Sequence, residues 1–400
     1  MSMHRRNRHI IEIMKKRAKI FPVVGLLGVR QVGKTTFLNG QWREARNARY
    51  VTFDRFETVR RASRAPEAFI LSESDDLKRQ LIIDEVQKVP HLFDSLKAVV
   101  DEKRRVGAFV VSGSVEFSLK SGVRESLAGR MGVCQLYPLT LREIAQQPLV
   151  SPWTKPRRHG RKTLSPKNIE DWLVRGGMPT FLSLHDDAER NLAISSWLEA
   201  ICFRDLQQIR AANLDGELAF AILRSIARRP RLNVNAIARD LGLARAKINQ
   251  YLSAFEALFL IYRLPSFENP NAAPEYALCD AAVFRFLYGT GSDREAHHHS
   301  FRTLLVNELR AQFEYCGLGR PGLHCYRQRG GAEIDLVLTT PDGRVIGFDI
   351  STSSDVPPYR LRSMKSFLER HPEAKGIVLA PIIDAYKADR IEVVPWTAIA

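Results

Sequence analysis

A chain of 400 residues exceeds what one ordinary hydrophobic core holds, and at roughly 150 residues per domain it predicts two or three domains, of which the pattern below gives three. Hydrophobic residues at 45% and charged residues at 26% exclude a disordered or membrane-embedded chain, and no stretch reaches the roughly 18 uncharged apolar residues of a spanning helix. The basic N-terminus carries no signal-peptide hydrophobic segment or cleavage site, so a cytoplasmic protein is expected.

The five cysteines form no Cys-x-x-Cys pair and are odd in number, which argues against a disulfide framework and for buried thiols in a reducing compartment. Lys and Arg number 60 against 44 Asp and Glu. The resulting +16 attracts polyanions, nucleic acid first among them; the bland alternative is a basic surface that serves solubility.

In chain order, residues 8–17 alternate apolar and basic side chains at helical spacing and predict a short amphipathic helix. Apolar runs at 23–28, 49–54, 81–86, 108–112 and 133–136 read as strands with helical patterns between several of them. That alternation predicts a parallel sheet covered on both faces. Residues 153–162, with Pro156, Arg157, Arg158, Gly160, Arg161 and Lys162, lack apolar periodicity and read as a basic linker, which closes a first domain at 1–150. The pattern over 169–259 is almost wholly helical and belongs to a second domain, 151–268. Strands at 332–338 and 345–350, parted by the turn Pro341-Asp342-Gly343, mark a third, mixed domain at 269–400. The run His297-His298-His299, beside Asp293 and Glu295, reads as an exposed loop rather than a metal site.

The segment 28–36, Gly-Val-Arg-Gln-Val-Gly-Lys-Thr-Thr, fits G-x-x-x-x-G-K-[ST] and stands between an apolar strand and a helix. Gly28 and Gly33 let the backbone curl until its amides face phosphates, Lys34 spans the β and γ phosphates, and Thr35, followed by Thr36, supplies a hydroxyl to Mg²⁺. ATP with Mg²⁺ is the expected ligand. A P-loop requires a carboxylate on a neighbouring strand, and Leu81-Ile82-Ile83-Asp84-Glu85 provides it. Asp84 is expected to hold the magnesium, and Glu85 to polarise the attacking water. The next strand ends in Ser112-Gly113-Ser114, where one hydroxyl either senses the γ phosphate or caps a helix.

These motifs, together with the segment Glu125 to Arg130, the segment Pro138 to Glu143, Arg175-Gly176-Gly177-Met178-Pro179 and Arg204-Asp205-Leu206, resemble the AAA-type ATPases of bacteria and archaea that carry a C-terminal domain of unknown function. The resemblance spans most of the chain. It implies an α/β fold: an N-terminal AAA-type P-loop core with a parallel sheet, a helical lid and winged-helix region, and a C-terminal α/β restriction-endonuclease-like domain. Gly28, Gly33, Lys34 and Thr35 match the Walker A pattern, and Asp84 and Glu85 match Walker B. Such enzymes complete each site with an arginine from the adjacent subunit; Arg130 occupies that place, with Arg124 as second choice. A homo-oligomer, in the form of a ring, follows from it.

Residues 232–259 read as a helix-turn-helix or winged helix. Asn233 or Asn235 caps a helix with Ile237 and Leu241 facing inward, Gly242 turns the chain, and a longer helix carries Ile248, Leu252, Phe255 and Phe259. Arg245, Lys247, Asn249 and Gln250 begin its exposed face and suit phosphates and base edges. In the last domain the resemblance implies carboxylates on a helix and two strands that bind magnesium, and Glu308, Asp335 and Asp349 match them. The lysine expected on the same strand face as Asp349 is Ser351 here, so nuclease chemistry is in doubt; Lys365 is a candidate substitute. The expected activity is ATP hydrolysis coupled to DNA binding, remodelling or translocation, on duplex or branched DNA. The competing readings are an ATP-dependent signalling switch that binds protein, and an ATP-licensed nuclease.

Overall fold

The computed structural model describes residues 6–115, 127–151, 165–209, 214–229, 234–289, 294–328 and 331–400. The chain divides into two compact units, residues 1–137 with 257–259, and residues 138–256 with 260–400.

In the first unit five parallel strands, β1 (Val23–Leu27), β2 (Arg49–Thr52), β3 (Leu81–Asp84), β4 (Phe109–Gly113) and β5 (Met131–Gln135), lie in the order β2-β3-β4-β1-β5. Every residue of β1, β3 and β4 is buried, as continuous apolar runs in a sheet covered on both faces must be. The predicted strands fall within two residues of these bounds. In register, Leu27 stands beside Gly113 and Gln135, and Thr52 beside Asp84. The strands therefore end together, and the loops after β1, β3 and β4 share the carboxyl edge, where open α/β sheets bind ligands.

In the second unit helices dominate up to the antiparallel pair β6 (Ile261–Leu264) and β7 (Glu275–Leu278). A six-stranded mixed sheet follows: β8 (Gly322–Arg327), β9 (Glu333–Thr339), β10 (Val345–Ile350), β11 (Lys375–Ala380), β12 (Tyr386–Ala388) and β13 (Ile391–Pro395), in the order β12-β13-β11-β10-β9-β8. β8 to β10 form an antiparallel meander, and β10, β11 and β13 run parallel. The predicted turn joins β9 to β10, with Gly343 at φ 86°. The helix Pro358–Arg370 presses Met364, Phe367 and Leu368 onto this sheet. Gly347 and Gly376 permit the approach, since a Cβ on Gly347 would stand 2.8 Å from the Phe367 ring and one on Gly376 3.0 Å from Leu368.

Among the described residues no helix is long and apolar enough to cross a membrane. Asn233, Asp293 and the predicted linker at 153–162 lie outside the described residues. The three histidines depart from expectation: they sit in the first turns of the long helix Arg294–Cys316, not in a loop. Adjacent polar residues carry no periodicity of their own, whereas the apolar residues from Phe301 onward set the helix and extend it backward.

Candidate functional site

The loop after β1 wraps onto the helix Lys34–Phe37, which continues through a π turn, Leu38–Trp42, into Arg43–Arg46. Both motif glycines are sterically required. A Cβ on Gly28 would come within 2.4 Å of the Leu136 carbonyl oxygen, and Gly33 holds φ 102° as the residue before the helix. Lys34 is buried, and its Nζ donates to the carbonyl oxygens of Gly28 at 2.8 Å and Val29 at 3.0 Å. Its ammonium thus lies along the inside of the loop it is expected to serve. From outside, the buried Arg8 donates to the Val32 carbonyl at 3.0 Å, a brace that the sequence pattern did not single out.

Asp84 ends β3 with no exposed surface and gathers three hydroxyls. Its Oδ2 accepts from Thr35 Oγ1 at 2.6 Å and from Tyr50 Oη at 2.7 Å, and its Oδ1 accepts from Ser112 Oγ. The Thr35 hydroxyl and the Asp84 carboxylate, the two expected metal-holding groups, therefore touch. Burial first, then the charge of Asp84, raises the Tyr50 hydroxyl well above its ordinary range, so it stays a donor. Thr36 stands exposed in the first turn of the helix.

Glu85 follows in the left-handed region at φ 58°, a conformation that costs a non-glycine residue about 1 kcal/mol or more. Gln87 Nε2 donates to Glu85 Oε2 and also reaches Ser114 Oγ at 3.4 Å. Burial raises the Glu85 carboxyl above the ordinary glutamate range, with Lys34 opposing the shift and Asp84 adding to it. The serines of the β4 end thus divide their work, Ser112 on Asp84 and Ser114 on the Gln87 amide. A glycine with no room for a Cβ, a second glycine at positive φ, a buried ammonium and a hydroxyl–carboxylate pair fit a nucleoside triphosphate with a divalent cation.

Residues 21–145 match the AAA domain family. Residues 166–287 and 298–399 match two domains of unknown function, DUF8612 and DUF4143. Two uncharacterized mycobacterial proteins, Mb2031c of Mycobacterium bovis and Rv2008c of Mycobacterium tuberculosis, are each 27% identical over 359 residues, covering 87% of this chain and 74% of theirs. Among solved structures, the chain is similar at 14% identity and TM-score 0.31 to the STAND protein PH0952 with a tetratricopeptide repeat sensor from Pyrococcus horikoshii. That alignment covers 76% of this chain and 47% of the other, so the chain spans about half the length of that protein. AMPPCP-bound DnaA from Aquifex aeolicus aligns at 12% identity and TM-score 0.29, over 62% of this chain and 85% of that one.

Within the matched residues 21–145, Arg130 lies just before β5 and grips its own chain: Nε donates to Asp101 Oδ1 at 2.5 Å and Nη2 to Oδ2 at 2.9 Å. The hydrogen bond from Arg130 lowers the Asp101 carboxyl. Arg124 lies outside the described residues.

In the second unit the helices Gly216–Arg228, Val234–Asp240 and Arg245–Ala257 precede β6 and β7, with Gly242 at φ 64° in the expected turn. Arg245, Asn249 and Gln250 are exposed, and Lys247 lies over the Tyr251 ring at 5.7 Å. The β6–β7 connection, where a wing would project, is instead stitched to the C-terminal sheet. Ser266 bridges to Cys325, and the Phe267 ring lies 5.1 to 6.5 Å from His324, Tyr326, Phe367 and His371.

Of the three C-terminal acids, the structure joins Asp335 and Asp349 and leaves Glu308 elsewhere. Their partner on the helix is His298, whose Nε2 lies 2.9 Å from Asp335 Oδ2. Glu308 comes ten residues after His298 on the same helix, about 15 Å further along its axis. There it is buried and accepts the Leu141 amide at 2.6 Å, serving the start of the helix Leu141–Ile144. Lys365 is exposed, and Arg360 from the same helix stands at the acids instead.

Burial pushes the Glu308 carboxyl up to about 8, against the Leu141 hydrogen bond. The folded state then holds a proton that the unfolded chain releases, so this group's contribution is full below the unfolded value of 4.5 and is lost as pH rises toward 8. Urea melts of the wild type should show stability falling across that window, by on the order of a few kcal/mol, while Glu308→Gln flattens the slope. An unchanged slope in the variant would refute the assignment.

Proposed function

We propose that the chain is an oligomeric ATPase that hydrolyses ATP with Mg²⁺ and couples turnover to binding, remodelling or translocation on DNA, duplex or branched. The observation that carries the ATPase reading is the contact of Thr35 with Asp84 beneath the glycine cradle, with Glu85 on the adjoining turn. When bound, Mg²⁺ supplies charge neutralisation between the phosphates. Gly28 and Gly33 let the loop amides face the phosphates, and Lys34 leaves the Gly28 and Val29 carbonyls to meet them. Thr35 and Asp84 would hold the metal. Glu85 accepts the proton of the attacking water at its carboxylate, and its upward shift brings it nearer the pH at which a base works best. Arg130 contributes its guanidinium to a neighbouring subunit's site.

The DNA arm rests on the +16 charge and on the face begun by Arg245, Lys247, Asn249 and Gln250. Lys34→Ala should weaken ATP binding about tenfold or more, measured by titration calorimetry, because an ionic hydrogen bond contributes about 1.5–3 kcal/mol. Hydrolysis should rise with one or more of duplex, single-stranded or branched DNA, and Arg245→Ala with Lys247→Ala should reduce both stimulation and the salt dependence of binding. If no DNA stimulates turnover or is retained at low salt, the DNA arm fails and the ATPase stands alone.

One observation favours the rival reading, a nucleotide-driven switch that binds a protein. The segment in the position of a wing packs Phe267 against His324 and Tyr326 of the C-terminal sheet and against Phe367 and His371 at the end of the helix covering it, and is not free to enter a minor groove. DNA-insensitive, single-turnover kinetics would select it.

A further inference from the structure

A restriction-endonuclease-like reading of the last domain implies Mg²⁺ on its acids, and the residues present do not fit that ion. The helix acid, Glu308, is elsewhere, and position 351 offers a buried Ser351 whose Oγ donates to the Ser353 carbonyl at 2.7 Å. The carboxylate pair already holds a cation. Arg360 Nη1 donates to Asp349 Oδ1 at 2.6 Å and lies 3.3 Å from Asp335 Oδ2. Asp335 Oδ2 also receives the Ile350 amide at 2.8 Å and faces His298 Nε2 at 2.9 Å, so its lone pairs are fully used.

The geometry points to a latent metal site that Arg360 holds shut: its guanidinium takes the place of the divalent cation and leaves the cleft without a metal-bound nucleophile. Three facts combine. His298 and the two acids offer ligand atoms all within 4.8 Å of one another, which is the spacing of a cation site. The two carboxyls are buried side by side, and a cation between them relieves the repulsion that their ionised forms would suffer. Arg360 supplies one that does not exchange: guanidinium keeps its proton at every physiological pH, unlike a lysine, and cannot serve as a base. Its helix is fixed on the sheet by Met364, Phe367 and Leu368, so the side chain is anchored at both ends. The cleft above the cluster, about 950 Å³ and also lined by Arg294, Arg302, Glu333 and Ser363, therefore has Arg360 seated on its acidic floor.

Mn²⁺ is the probe, because it accepts imidazole and carboxylate together. With full-length, nucleotide-free protein, Mn²⁺ binding by equilibrium dialysis and its effect on Tm are compared between variants, so that any metal held elsewhere cancels. Wild type and Asp335→Asn should bind alike, with no Asp335-dependent ion. Arg360→Ala should bind a single additional Mn²⁺ and gain Tm with it, and adding His298→Ala or Asp335→Asn should abolish both gains. Arg360→Gln, closer in size, carries the same expectation if the alanine variant folds poorly. An Asp335-dependent Mn²⁺ in the wild type overturns the proposal. So does a folded Arg360 variant that gains no ion.

Discussion

Glu85→Gln should lower the ATP turnover rate by about 10²–10⁴-fold while leaving nucleotide affinity nearly intact. The substitution keeps the size of the side chain and an oxygen for the Gln87 donor, but removes the atom that takes a proton. On the proposed reading affinity is set elsewhere, by the loop amides, Lys34 and the Thr35–Asp84 pair, none of which loses a partner. The pH–rate profile gives a second reading. Burial raises Glu85, and a base must be ionised to act, so wild-type turnover should climb with pH through a value above the ordinary glutamate range. In the glutamine variant that limb should vanish. A rate within a few-fold of wild type would remove Glu85 from the chemistry. A comparable fall in affinity would show instead that the left-handed turn at Glu85 had collapsed and distorted Asp84 with it.

The loop between β1 and the helix Lys34–Phe37 could be read from letters because its geometry is local. Gly28, Gly33, Lys34 and Thr35 lie within eight positions and one strand–loop–helix unit, and their spacing is fixed by the loop they build. Asp84 was legible through a rule of topology, that the strand beside β4 ends at the same edge. Tyr50 was not, since its role comes only from the register that sets β2 against β3, and a tyrosine in a strand otherwise signals β propensity. Nor was Gln87, whose bond to Glu85 depends on the left-handed turn between them. The C-terminal cluster shows the same limit more sharply. A helix acid, a strand acid and a second strand acid were found, yet which turn of a 23-residue helix faces the sheet is decided by packing. That packing selects His298, one step in a polar run without periodicity, over Glu308. Arg360 enters from a helix whose pitch aims residue 360, not 365, at the acids.

Arg130→Ala should reduce turnover on the order of 10³-fold if the guanidinium serves a neighbouring active site. The ion pair with Asp101 makes the prediction sharper, because it offers a purely structural alternative with a different signature. The pair is bidentate but both partners are partly exposed, with 33% and 44% of their side chains accessible, so as a surface tie its loss would matter little to stability. Under the structural alternative Asp101→Asn and Arg130→Ala break the same bond and should behave alike, with turnover nearly unchanged in both. Under the trans role they part: Asp101→Asn frees the arginine and keeps its charge, so turnover holds or rises, while Arg130→Ala removes the charge that meets the γ phosphoryl oxygens. Mixing then decides the direction of service. A subunit with Lys34→Ala retains Arg130 and a subunit with Arg130→Ala retains the P-loop, so mixed assemblies contain interfaces with one intact half from each. Partial recovery of turnover in the mixture places Arg130 across a subunit boundary; no recovery, with each parent folded and assembled, places it in its own chain beside Asp101.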